Sequence, residues 1–248
     1  MGKTTSIDEK VLMERGRSLN ILIACEESQA VCTEMRRLGH RAFSCDIEPC
    51  SGGHPEWHIW GDCLPILDGN RKFITADGKV HEIGGRWDMI IAHPPCTFLT
   101  STGNSWFNVS KYGDNAVERA RERERAFEFF MLFVKADCDR IAIENPVGYV
   151  STHYRKPDQI IQPYMFGDDA RKATCLWLKN LPPLHSTNVI RPTIVRTGHS
   201  FDSPWHAYTW SISDKKERSK VRSKTFPGIA RAMAEQWTRD IYEEISLI

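Results

Sequence analysis

Short, near-continuous apolar runs alternate with stretches of helical periodicity along most of the chain. Leu19–Ala24, Arg41–Cys45, His58–Trp60, Met89–Ala92, Arg140–Ile143 and Ala173–Leu178 are such runs. Runs of this kind predict strands buried on both faces, as in a parallel sheet. Ser28–Leu38 places Val31, Met35 and Leu38 near helical spacing, with Gly39 suited to end the helix. Asp114–Ala136 predicts a long helix with an apolar stripe of Val117, Ala120, Phe127, Phe130, Met131 and Val134. Its Glu118–Arg121 and Glu122–Arg125 pairs and its other arginines read as a solvated face. Pro227–Ile245 predicts a last helix, with Pro227 in its first turn and Ile229, Met233, Trp237 and Ile241 on one face. Lys72–Ile83 alternates around Asp77-Gly78 and predicts a β-hairpin insertion. Strands alternating with helices predict an α/β fold with a doubly wound, mostly parallel sheet.

The expected organisation is a polar tail over 1–18 and a main α/β unit over 19–186. A basic, aromatic segment follows over 187–225, then a helix over 226–248 that packs back on the main unit. The 248 residues suffice for one such domain. Gly2-Lys3-Thr4-Thr5 in the tail echoes the end of a phosphate loop, but no strand or upstream glycine precedes it. A formal net charge of +1 says nothing about nucleic acid, so local charge has to. Thr187–Thr225 carries eight Lys or Arg against three acids, a local +5, interleaved with Trp205, His206, Tyr208 and Trp210. Cations for phosphates and aromatics for stacking suit a nucleic-acid surface. No apolar run is long enough to span a bilayer and there is no signal-peptide pattern. Eight cysteines scattered through apolar segments suggest reduced thiols and a cytoplasmic location. No obligate protein partner is evident.

Chemistry concentrates at predicted strand ends, where open α/β sheets bind ligands. Glu26, Glu27 and Ser28 follow the first strand, Asp46 and Glu48 the second, and Asp62 the third. These acids could hold the methionine end, ribose and adenine amine of a dinucleotide- or S-adenosylmethionine-type cofactor. Ala24-Cys25-Glu26-Glu27 stands where such sites usually have a glycine-rich turn. Cys45, Cys50, His54 and His58 are spaced C-x4-C-x3-H-x3-H. With Cys45 inside a strand, the segment reads as a loop over the cofactor and not as a zinc site. Cys96 follows Met89–Ala92 through His93-Pro94-Pro95, at the carboxyl end of a central strand. Glu144-Asn145-Pro146 follows Arg140–Ile143 at the same edge. Between these points Thr97–Gly113 reads as a mobile lid, and Pro146–Gln162 as a polar loop.

Pro94-Pro95-Cys96 followed by Glu144-Asn145, in this order and spacing, resembles the DNA cytosine-5 methyltransferases. The likeness runs from about Ile21 to Leu184 with an echo near Thr225–Trp237, and is strongest to the compact phage and prophage branch. The resemblance implies a Rossmann-like methyltransferase fold, an S-adenosylmethionine cofactor and DNA containing a target cytosine as partner. It implies Cys96 as nucleophile on carbon 6 and Glu144 as the group that relieves charge at ring nitrogen 3. Cys25, Glu26, Glu27, Ser28, Asp46, Ile47, Glu48, Asp62, Cys63 and Pro94 are then expected to line the cofactor. Pro95, Thr97, Asn145 and Pro146 are expected at the substrate. Lys172 and Thr174 match the position of a basic motif that holds the flipped base, although the family's Gln-x-Arg-x-Arg pattern is absent. Three alternatives stay open. His93-Pro94-Pro95 is similar to the Asp-Pro-Pro-Tyr loop of enzymes that methylate exocyclic amines. The same carbon-5 chemistry could act on free nucleotide or with a modified donor. A catalytically silent DNA-binding relative is the third.

Overall fold

The computed structural model describes residues 18–197 and 200–246; the predicted tail lies outside them. Eleven strands run in chain order among the described residues. They are β1 (Asn20–Ala24), β2 (Arg41–Asp46), β3 (His58–Trp60), β4 (Lys72–Ile74), β5 (Val80–Glu82) and β6 (Met89–Ala92), then β7 (Ile141–Pro146), β8 (Gln159–Ile161), β9 (Thr174–Lys179), β10 (Val195–Thr197) and β11 (Ser200–Asp202). Five helices matter to the site: α1 (Ala30–Arg37), α2 (Asp114–Lys135), α3 (Pro204–Ser211), α4 (Lys215–Ser223) and α5 (Pro227–Ser246).

The central sheet has seven strands in the order β3-β2-β1-β6-β7-β9-β8. The pairings from β3 through β7 are parallel, and β9 runs antiparallel to both β7 and β8. The order reverses between β1 and β6, which is the switch point where such sheets open a crevice. A parallel sheet closed by one reversed strand near its edge is the methyltransferase form of the Rossmann plan, as expected from the sequence.

The continuous apolar runs work because each strand feeds two cores. Ile21 and Ile23 of β1 join one cluster with Val31 and Met35 of α1 and Ile229, Met233 and Trp237 of α5. Leu22 and Ala24 join the opposite cluster with Phe43 of β2 and Phe130 and Phe133 of α2. Period-two alternation is thus hidden inside a uniformly apolar run. The buried Trp237 Nε1 donates to Pro182 O at 2.9 Å, and Trp177 Nε1 to Arg155 O at 2.9 Å, so both indoles are satisfied. Helix α1 ends at Gly39 (φ 87°), whose N–H donates to Arg36 O while His40 N–H donates to Met35 O. This is the glycine stop predicted for it.

Three expectations need correction. Glu144-Asn145-Pro146 lies within β7, paired with Leu176, Cys175 and Thr174 of β9, and not after the strand. A reversed neighbour lets β7 keep its ladder past the point where its parallel partner β6 stops. The buried side chains of α2 are Ala116, Phe130 and Phe133, whereas Val117 is 38% exposed. The expected stripe therefore holds over Phe127, Phe130, Met131 and Val134, and fails in the first half of the helix, where Ala116 is buried and Val117 and Ala120 are exposed. The Thr97–Gly113 lid contains helical turns at Ser101–Phe107 and Val109–Tyr112. The basic segment contains β10, β11, α3 and α4. The hairpin around Asp77-Gly78 forms as expected between β4 and β5.

Candidate active site

The turn after β1 lacks glycine, yet its backbone does what glycine would. Cys25 and Gln29 both adopt left-handed φ of 59°, a conformation costly for side-chain-bearing residues. Gln29 is held by its own side chain, which donates to Ser44 Oγ (3.2 Å) and His54 O (2.8 Å) and accepts from His54 N (3.0 Å). The loop after β2 folds over this turn, with Ser51 N donating to Glu27 O at 2.8 Å. A Cβ at Gly52 would sit 2.6 Å from Ser28 O, so only glycine permits that approach. His58 joins the same loop, with Ser44 Oγ 2.9 Å from its Nδ1 and Glu48 O 3.0 Å from its Nε2. Hydrogen bonding thus occupies the His54 and His58 of the zinc-like spacing. Among the described residues no three His, Cys, Asp or Glu side chains are grouped to hold a metal.

The expected cofactor acids divide by what they touch. Glu26 accepts from Val31 N (2.7 Å) and Cys32 N (3.2 Å), so its carboxyl closes the start of α1. Glu27 is 8% exposed, and neither carboxylate oxygen has a hydrogen-bond partner. Lys220 Nζ of α4 approaches it to 4.0 Å. Asp46 ends β2; burial raises its carboxyl above the usual range, against the Glu48 N–H that it accepts at 2.9 Å. Glu48 faces Lys216 Nζ at 3.4 Å. Asp62 accepts from Leu64 N at 2.9 Å. Ile47 is 74% exposed beside this edge. The Cys25 thiol is raised well above its ordinary value by its bond to Cys63 and by burial. A buried carboxylate without a hydrogen bond, faced only by Lys220 at 4.0 Å, suits a ligand carrying positive charge.

Across the switch point, Pro94-Pro95-Cys96 leaves β6. Asn145 is buried in β7, and its Nδ2 donates to Pro94 O at 2.9 Å, tying the cysteine loop to the neighbouring strand. Cys96 lies at the surface of this edge, and Leu99 N and Thr100 N both donate to its carbonyl at 3.0 Å. Its thiol is raised by the protein crowding around it and by Glu144, while Lys172 and Arg222 pull it down. Glu144 is held below the usual carboxylate range: burial pushes it up, but His93, Lys172 and Thr174 together outweigh that. His93 Nδ1 lies 3.4 Å from Glu144 Oε2. Lys172 Nζ donates to Arg222 O at 2.9 Å, joining this cluster to the end of α4. Thr174 is buried and its Oγ1 donates to Lys172 O at 3.3 Å. Pro95 and Thr97 are exposed on the same loop, and Pro146 pairs with Thr174. The structure therefore brings Cys96, Glu144, Asn145, Lys172 and Thr174 together.

Three features were not legible as site residues. Arg119 and Arg123 were read as part of a wet helix face. Arg123 Nε instead donates to Phe98 O (2.9 Å), its guanidinium stacks over Phe107 (3.4 Å), and its other arm reaches Asn104 Oδ1 (2.7 Å). Arg119 lies over Phe98 and Phe107. Gly148 packs against the cysteine loop so closely that a Cβ would meet Leu99 O at 2.0 Å. Spacing on a helix shows which residues share a face, but not what loop returns to cover it.

With this geometry in view, comparison with known proteins adds little. No family model and no curated relative matches the chain. Among solved structures it is similar to the Entamoeba histolytica methyltransferase EhMeth, at 11% identity and a TM-score of 0.37. The match covers 72% of this chain, which spans 58% of that one. A likeness this distant carries no functional weight. The topology described above stands by itself as that of a methyltransferase fold. Among the described residues no helix is long and apolar enough to cross a membrane.

Proposed function

We propose that this protein methylates cytosine at carbon 5 in DNA, with S-adenosylmethionine as methyl donor. One observation carries the reading: a cysteine just past β6 and a partly buried glutamate within the neighbouring β7 share one sheet edge, bridged by the Asn145–Pro94 bond, with Lys172 and Thr174 beside the glutamate. S-adenosylmethionine, when bound, supplies an electrophilic methyl group. Glu27 would face its positive charge, Asp46 and Glu48 its ribose, and Asp62 its adenine amine. Cys25, Ser28, Ile47, Cys63 and Pro94 would complete the walls, and Glu26 would hold α1 at their rim. The target base leaves the duplex stack and lies between Pro95, Thr97, Asn145 and Pro146. Cys96 sulfur adds to carbon 6, which makes carbon 5 nucleophilic. Glu144 donates a proton to ring nitrogen 3 as electron density builds there. Lys172 and Arg222 favour the thiolate, and Thr174 and Asn145 keep the carboxyl and the cysteine loop in register. The basic segment, with Trp205, Tyr208 and Trp210, would contact the DNA.

The test uses labelled S-adenosylmethionine and duplex DNA. Wild type should label cytosine carbon 5, and a duplex with 5-fluorocytosine at the target should trap it covalently, because fluorine cannot leave as a cation. Cys96→Ser should form no adduct and turn over no substrate. Glu144→Gln should slow by about 10²–10⁴-fold. An adduct on another cysteine, or wild-type turnover by the serine variant, removes the carbon-5 mechanism and makes methylation of an exocyclic amine the leading reading.

A further inference from the structure

A carboxyl held in its charged form is a poor source of protons. Glu144 is so held by His93, Lys172 and Thr174, yet carbon-5 chemistry needs a proton delivered to the base at that position. The structure contains a second proton carrier in contact with it. His93 sits between β6 and the two prolines, with its N–H donating to Ala24 O at 2.9 Å. Its side chain is only 6% exposed, and Nδ1 lies 3.4 Å from Glu144 Oε2. An ionised Glu144 can only accept, so Nδ1 carries the hydrogen in this pair. The opposite nitrogen, Nε2, is buried with no hydrogen-bond partner. Glu26, at the β1 turn, is close enough for its charge and that of His93 to interact.

We infer that His93 is the proton reservoir of Glu144, loading the carboxyl from the side away from the substrate and taking the proton back. The inference rests on the carbon-5 reading above. As the Cys96 sulfur–carbon 6 bond forms, the Nδ1 proton of the His93 imidazolium passes to Glu144 while Glu144 passes a proton on to ring nitrogen 3. Carbon 5 then takes the donor's methyl group; its own proton leaves to solvent as the sulfur–carbon 6 bond breaks, and the proton on nitrogen 3 returns through Glu144 to His93, so the pair itself consumes no proton. Charged groups surround the pair on every side: Glu26 after β1, Glu144 on β7, Lys172 before β9, and Arg222 on α4 beside Cys96. Lys172 favours the ionised carboxyl of Glu144, and His93 faces that carboxyl across one contact. His93 touches Glu144 and not the base, which makes it a positioning residue whose role shows in pH dependence.

His93→Asn tests this, because an amide can donate to Glu144 as Nδ1 does but cannot titrate. Single-turnover methylation of duplex DNA by wild type should fall at alkaline pH as the His93–Glu144 pair loses its shared proton. The asparagine variant should lose that alkaline limb and run about 10²-fold slower, with S-adenosylmethionine affinity by calorimetry unchanged. Independently of activity, the ¹⁵N signals of the His93 ring should differ between Glu144→Gln and wild type, since the charged partner of Nδ1 is gone. An asparagine variant with wild-type rate and pH profile overturns the relay and leaves the carbon-5 reading standing, as do His93 ring signals indifferent to Glu144→Gln. A wild type that methylates no cytosine overturns both.

Discussion

Glu26 lies at the turn after β1 with its carboxyl enclosed by protein. Burial raises it to about 7, against the pull of His93 and of the two N–H groups that it accepts from α1. The folded state therefore binds this proton more tightly than the unfolded chain, whose glutamate titrates near 4.5. The stability from the protonated group is fully present below about pH 4.5 and is lost as pH rises through about 7. The difference corresponds to about 3 kcal/mol. Glu26→Gln removes the titration but keeps only one acceptor, since Val31 N and Cys32 N bond different carboxyl oxygens. Its stability profile in urea unfolding should be flatter than that of wild type between pH 4.5 and 7. Equal profiles for the two proteins would mean that the carboxyl is already charged without penalty.

At the scale of elements, the cysteine loop is gripped from two sides. From α2, Arg119 and Arg123 reach its carbonyls and rings. From the end of β7, Tyr149 N donates to Leu99 O at 2.7 Å, and Ser101 N donates to Val147 O at 3.1 Å. Gly148 makes this second grip possible. A Cβ there would lie 2.0 Å from Leu99 O, with backbone on both sides and no flexible atom to yield. Gly148→Ala should therefore cost about 1–3 kcal/mol of overpacking. It should also slow methyl transfer more than it weakens cofactor binding, because the displaced loop carries Cys96. Urea midpoints and single-turnover rates check both halves. An alanine variant matching wild type in both would show that the contact is not a constraint.

For the molecule as a whole, the basic segment folds over the sheet edge instead of extending away from it. Lys216 and Lys220 of α4 face Glu48 and Glu27, and Lys172 bonds the carbonyl of Arg222. Helix α4 thus spans from the candidate cofactor acids to the cysteine–glutamate pair. On its outer side Arg218 lies 5.4 Å from the Trp210 ring, which is itself 64% exposed. Cations beside exposed aromatics suit a nucleic-acid surface. Replacing Lys215, Lys216 and Arg218 together with alanine should lower the slope of log K against log salt for DNA binding by up to about 2–3. The half-exposed Lys216–Glu48 pair is weak enough to yield to phosphate. An unchanged slope would assign these cations to packing over the acids alone.

The order of strands and helices, the glycine stop of α1, the Asp77-Gly78 hairpin and the face of α5 bearing Met233 and Trp237 were all legible in the sequence. Each depends on local chemistry: apolar periodicity, a residue tolerant of positive φ, a turn dipeptide. The strand-end positions of Cys96, Asp46 and Asp62 were legible for the same reason, since an apolar run shows where its strand stops. The continuation of β7 through Glu144 was not, because it depends on a reversed partner nearly thirty residues downstream. Nor was the left-handed turn at Cys25 and Gln29, where hydrogen bonds from the loop after β2 stand in for the missing glycine. The division between Glu26, turned to the start of α1, and Glu27, left without a hydrogen bond, arises only once α1 is packed. The contact of His93 with Glu144 likewise exists only because β6 and β7 are neighbours. Sequence spacing specifies elements and their ends; which ends face one another is decided by the order in which the strands assemble.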